Sequence, residues 1–229
     1  MSENGSRARA WQRFVPSLSQ WVWLMLLLLL LAQPWRTTMV AADGDACMHW
    51  RVGEWMLENK HVIRADVFSH TRYAAPIVSK EWLSEIIFAA AGRLAGLYGI
   101  AVVGALLIAT TFALLHRQLL REGNDALVST GVVLLASCAA SAHWLARPHA
   151  FSFLMAALWH DALRRFERTG NARVLGTVLC VLTVLWVNLH GGYLAGFLIL
   201  GAYWLGAVLQ REWRKLGALT VTGMFCGLV

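Results

Sequence analysis

Long apolar runs alternate with short polar knots along almost the whole chain. The first run, containing WVWLMLLLLLLAQPW, extends over residues 14–35, about the 20 residues that a membrane-spanning helix needs. Further runs cover 97–115, 126–145, the stretch AFSFLMAALWHDAL from Ala150, 174–187, 193–210 and 216–229. Ahead of the second run, EWLSEIIFAAAGRLAGLYG is amphipathic and punctuated by glycine. Residues 82–92 therefore either lie on the membrane surface or begin a span bent at Gly92. The pattern predicts an all-α polytopic helix bundle of about seven spans, six complete and a seventh that reaches the end of the chain. One integral membrane domain covers 1–229, with a tail over 1–18, a first outer loop over 36–82 and the remaining spans in 83–229. A chain ending Gly-Leu-Val inside an apolar run reads as truncated, the N-terminal part of a larger protein.

Composition supports the bilayer as the solvent: 58% of residues are hydrophobic, 14% are charged and twelve are Trp. The net charge of +7 is not spread as a nucleic-acid surface would be. Basic residues cluster at the ends of apolar runs, and the flank Arg7, Arg9 and Arg13 places the N-terminus in the cytoplasm. Following the chain from there assigns roughly twelve Lys and Arg inside and roughly eight outside. The rival reading of the first run is a signal peptide cleaved after the small residues Val40-Ala41-Ala42. Cys47, Cys138, Cys180 and Cys226 are scattered without a CxxC pair, which excludes a redox motif or metal cluster.

The wet segment 36–82 changes the picture most. Asp43, Asp45, Glu54, Glu58, Asp66 and Glu81 fall within it, six of the chain's 13 acidic residues. Within it, ACMHWRVGEWMLEN has Met48, Val52, Trp55 and Met56 at helical spacing, predicting a short amphipathic helix on the bilayer surface. Asp43 or Asp45 would precede its start and cap it. Two other polar knots share its side of the membrane: Arg147-Pro148-His149 and Asn188-Leu189-His190-Gly191-Gly192.

Together the three knots offer carboxylates, a guanidinium and imidazoles around one end of the bundle. That set suits transfer from a phosphate-activated donor. Arg147 and His149 would hold phosphate oxygens, and a carboxylate would take the proton of an attacking hydroxyl. Asp43 or Asp45 also offers oxygen to a divalent cation, Mg2+ or Mn2+, although two acids at i and i+2 are a weak metal signal. His49, His61, His70, His116, His143 and His160 show no ligand spacing, so no zinc site is expected. Bland alternatives stand beside these roles: Arg147 and His149 snorkelling to headgroups, His190 in a plain glycine turn, the loop acids paired with Arg and Lys.

Asp45, Trp50 and Gly53, then IRADVFSHT from Ile63 and Glu81-Trp82-Leu83, resemble the first outer loop of bacterial polytopic glycosyltransferases of the C-type fold. The Arg147 turn and WVNLHGG from Trp186 resemble further segments of uncharacterised members of that superfamily. The resemblance implies a multi-span enzyme that uses a polyprenyl-phosphate sugar donor, with Asp45, next to Asp43, as general base or metal ligand. The expected substrate-contacting residues are Asp66, Glu81, Arg147, His149, Asn188 and His190, from the loop and the two turns. The second outer loop departs from the family pattern, holding Ala146-Arg147-Pro148-His149 where many members carry a further acidic motif. That departure weighs against a metal-dependent mechanism. Two rivals of other classes are a flippase-like transporter and a non-catalytic membrane assembly protein.

Overall fold

A computed structural model describes residues 16–42 and 44–228. Among these residues the regular structure is helical. Ser17 opens α1 (Leu18–Leu31) through a capping box, its hydroxyl accepting from the Gln20 amide while the Gln20 side chain accepts from the Ser17 amide. Pro34, which cannot donate to a continuing helix, follows the end of α1. The chain then turns by 68° into the short α2 (Trp35–Ala41). The first apolar run is thus broken, because fourteen residues of α1 rise only about 21 Å, less than the hydrocarbon thickness of about 30 Å.

Helix α3 (Asp45–Asn59) lies where an amphipathic helix was expected, rotated so that of the four apolar residues expected on one face only Met56 is fully buried against the protein. Ala46, His49, Gly53 and Met56 are buried, and Met48 stands exposed. Gly53 explains the rotation. A Cβ there would sit 2.0 Å from the Glu85 carbonyl oxygen, so only glycine lets α3 lie this close to the next long helix. Asp45 is the first helical residue rather than a cap. Gly44 holds the cap position, and Asp45 adds negative charge to the first turn, where the helix dipole favours it.

Helix α4 (Trp82–Arg121) is the element against which α1, α2, α3, α5, α6 and α7 all pack. It joins the two stretches that the sequence left separable. Its bend lies at Ala95–Gly96, where Gly96 adopts φ 60°, rather than at Gly92. Val22, Leu26 and Leu30, spaced by one turn on α1, meet Ala105, Ile108, Ala109 and Phe112 of α4 in one apolar cluster. Beyond α5 (Ala126–Ala139) come α6 (His149–Thr169), α7 (Ala172–Leu189), α8 (Leu194–Leu209) and α9 (Trp213–Gly227). These last four build a second cluster around Trp159, Leu163, Leu179, Trp186, Leu200 and Leu219.

The surface is that of a membrane protein. On α5 the small polar residues turn inward, Ser129 1% and Ser137 2% exposed, while Leu127 and Leu135 are 83% and 73% exposed. Water would reverse that arrangement; lipid, as apolar as leucine, permits it. Among the described residues four helical stretches are long and apolar enough to cross a membrane: Trp82–Arg121, Ala126–His143, Ala172–Leu189 and Gly191–Leu209. The bent pair α1 and α2 makes a fifth if counted as one span. Four or five of the expected seven spans therefore meet this criterion. The C-terminal half of α6 carries Asp161, Arg164, Arg165, Glu167 and Arg168, which keeps that helix outside the criterion.

Candidate functional site

The three polar knots converge at one end of the bundle because of how the helices run. Helices α3, α4 and α6 begin there, and α7 ends there. Three helix N-termini therefore direct their positive ends toward the same region. The turn before α6 is fixed to α2 by the Ala146 amide, which donates to the Met39 carbonyl at 2.9 Å. That contact holds Arg147 over the start of α3, where a guanidinium nitrogen meets an Asp45 carboxylate oxygen at 2.5 Å.

Glu81, just ahead of α4, sits between two imidazoles. Its Oε1 is 3.4 Å from His190 Nε2 and its Oε2 is 3.9 Å from His49 Nε2. Burial pushes the Glu81 carboxyl above its ordinary value; His49 pulls it back, while Glu85 and Asp45 add to the rise. One turn along α4, Glu85 is almost wholly buried. It accepts from His49 Nδ1 at 3.2 Å through one oxygen and from the Ser79 hydroxyl at 3.0 Å through the other. The His49 and Glu85 side chains are 9% and 8% exposed.

His190 is locked from its other side. Its Nδ1 accepts from the Gly192 amide at 2.9 Å and lies 2.7 Å from the Ser152 hydroxyl, which in turn accepts from the Trp186 indole at 2.7 Å. Burial pushes this imidazole below its ordinary value, with His149 and His49 acting in the same direction. Gly192 has to be glycine, since a Cβ would lie 2.5 Å from the Ser152 oxygen and 2.7 Å from His190 Nδ1.

Comparison with protein-family models, curated proteins and solved structures returned no match. The geometry alone therefore sorts the residues singled out in the sequence. Asp45, Glu81, Arg147 and His190 meet at the site. His149 stands at its edge, its Nε2 donating to the His143 carbonyl at 2.9 Å and its ring set edge-on to Phe153. Asn188 acts as a support: its amide oxygen accepts from the Trp82 indole at 2.7 Å and its nitrogen donates to the Val184 carbonyl. Asp66 shapes the loop. It accepts from the Ser69 and Phe68 amides, which hold its carboxyl below the ordinary value, and its backbone bonds to Ala74 and Ala75. Asp43 lies outside the described residues, as do Arg7, Arg9 and Arg13.

His49, Glu85 and Ser152 were missed by sequence reasoning, although a signal existed. Asp45, His49 and Gly53 recur every four residues, as do Glu81 and Glu85, so each set shares one helix face. Among the described residues no group of three or more His, Cys, Asp or Glu is placed to hold a metal ion. The Arg147 guanidinium on Asp45 fits an ion pair, and a divalent cation there would be repelled by it.

Proposed function

We propose that this chain is a membrane glycosyltransferase, or the membrane part of one. In this reading it moves a sugar from a polyprenyl-phosphate-linked donor to an acceptor hydroxyl at the outer face of the cytoplasmic membrane. The observation that carries the reading is Arg147, paired with Asp45 at the end of the bundle where three helices begin. A guanidinium matches phosphate oxygens in a fork, and helix N-termini favour the same negative charge. An arriving phosphate would compete with Asp45 for Arg147 and release the carboxylate into the site.

Transfer then balances as a displacement. The acceptor oxygen bonds to the anomeric carbon, the bond from that carbon to the phosphate oxygen breaks, and its electron pair leaves with polyprenyl phosphate. The acceptor proton passes to a carboxylate of the cluster. Asp45 is the acid that the resemblance implies, so Asp45→Asn separates chemistry from folding. The polar groups gather at helix ends rather than midway along α4, α7 and α8, where a transporter would need them.

The test uses the chain in liposomes with a labelled polyprenyl-phosphate sugar, together with mass spectrometry of the purified protein for retained polyprenyl phosphate. The expected result is retention and transfer by the wild type, and loss of transfer in Asp45→Asn with membrane insertion intact. Normal transfer by that variant, or neither retention nor transfer by the wild type, overturns the reading.

A further inference from the structure

Two imidazoles face one carboxyl group here, and their local partners give them opposite chemistry. His49 Nδ1 meets the Glu85 carboxylate, which can only accept, so Nδ1 carries the hydrogen and Nε2 presents a lone pair toward Glu81. His190 Nδ1 meets the Gly192 amide, which can only donate, so Nδ1 is the acceptor and the hydrogen resides on Nε2, toward Glu81. Glu81 therefore stands between a proton donor and a proton acceptor. It is also the reachable member of the set: the Glu81 and His190 side chains are partly exposed, whereas His49 and Glu85 are buried behind them.

We propose that Glu85, His49, Glu81 and His190 form one proton-exchanging array, in which Glu81 takes a proton from a bound hydroxyl and His49 carries it inward. The array rests on the transfer reading only for the source of that proton. As the acceptor oxygen bonds to the anomeric carbon, its proton moves to Glu81 Oε2. Glu81 then passes it to His49 Nε2, 3.9 Å away, after a side-chain rotation or through one bridging water closes that gap, and the Glu85 carboxylate faces the imidazolium that forms. His190 Nε2 faces Glu81 Oε1 at 3.4 Å and stabilises its charged form. Asp45 has a separate part in the same step: once the donor phosphate displaces it from Arg147, its carboxylate orients the acceptor hydroxyl toward Glu81, so transfer needs both acids.

The charged and titratable groups that bear on Glu81 come from each neighbouring element. They are Asp45 and His49 of α3, Lys80 and Glu85 of its own segment, and His190 beyond α7, with His149 acting on His190. Arg147 reaches the set through Asp45. The raised Glu81 carboxyl agrees with this placement, since a proton acceptor works best when it titrates near the operating pH.

Two measurements on the full chain in bilayers test the array without needing turnover. Nitrogen-15 NMR of labelled histidine should find His49 protonated on Nδ1 and His190 on Nε2 at neutral pH. The same tautomer on both rings overturns the array. Infrared titration should resolve a protonated-carboxyl band that Glu81→Gln removes. Its midpoint should rise in His49→Gln, which removes the imidazole that does most to hold it down. If His49→Gln does not fold, Glu85→Gln, which removes a charge that raises Glu81, should lower the midpoint instead. A midpoint that stays at the wild-type value in the folded variant overturns the array. If tautomers and titration are as expected but no sugar is transferred, the transfer reading falls and the array stands. If sugar is transferred while both tautomers agree, the array alone falls.

Discussion

Glu81 and His190 shift in opposite directions, and burial is the leading cause in both. Each consequence has a sign. A carboxyl raised above 4.5 keeps its proton longer in the folded chain, so its contribution is present at low pH and is lost as pH rises through the folded value. An imidazole lowered below 6.5 works the other way, with its contribution present above 6.5 and lost as pH falls toward the folded value. Thermal unfolding in detergent, followed from pH about 7.5 down to about 5.5, should show stability falling in the wild type and a flatter profile in His190→Gln. Arg147 offers a second residue-scale test. Arg147→Lys keeps the charge but loses the fork, and donor retention should weaken by about tenfold or more, read by titrating polyprenyl phosphate. Asp45, Glu81, Arg147 and His190 were legible in the sequence because each interrupts or flanks an apolar run. His49 and Glu85 were missed: each lies four residues from a singled-out acid, but they match no metal-ligand spacing and their role arises only where α3 and α4 face each other.

At the scale of the helix, the close approach of α3 and α4 positions the site. Gly53→Ala places a methyl group against the Glu85 carbonyl. The helices must part, and the strain should cost about 1–3 kcal/mol. A lowered melting temperature, with loss of the His49 tautomer described above, would register it. Gly217→Ala on α9, where nothing lies within 4 Å of the added carbon, should leave the melting temperature unchanged or slightly raised. The sequence placed a helix on α3 correctly, but its apolar spacing chose the face with Met48. The buried face instead follows His49 and Gly53, a polar residue and one without a side chain, which a hydrophobicity pattern does not recognise. The bend in α4 was misplaced for a similar reason. Gly92, Gly96 and Gly99 look alike in sequence, and only the backbone distinguishes Gly96, with its φ of 60°.

For the whole molecule, the solvent is the main question, and α5 supplies the test. Leu135 is exposed, so Leu135→Lys would be nearly neutral on a soluble protein. In a bilayer it should cost about 2.5–3.5 kcal/mol near the centre of a span and reduce the fraction of chains inserted, as measured by alkaline extraction of membranes. Unchanged insertion would count against α5 as a lipid-facing span. Among the described residues four or five of the apolar runs form helices able to cross, and the interruptions that hydropathy smooths over are Pro34 in the first run and the charged second half of α6.

The sequence by itself determined that the chain is helical, suited to lipid, and polar at particular helix ends, because hydrophobicity along one dimension records which solvent each segment meets. The tertiary structure decided which polar groups meet. Helix rotation and backbone distance set those encounters, and they turn on residues such as Gly53 and Gly192, whose contribution is the space that they leave.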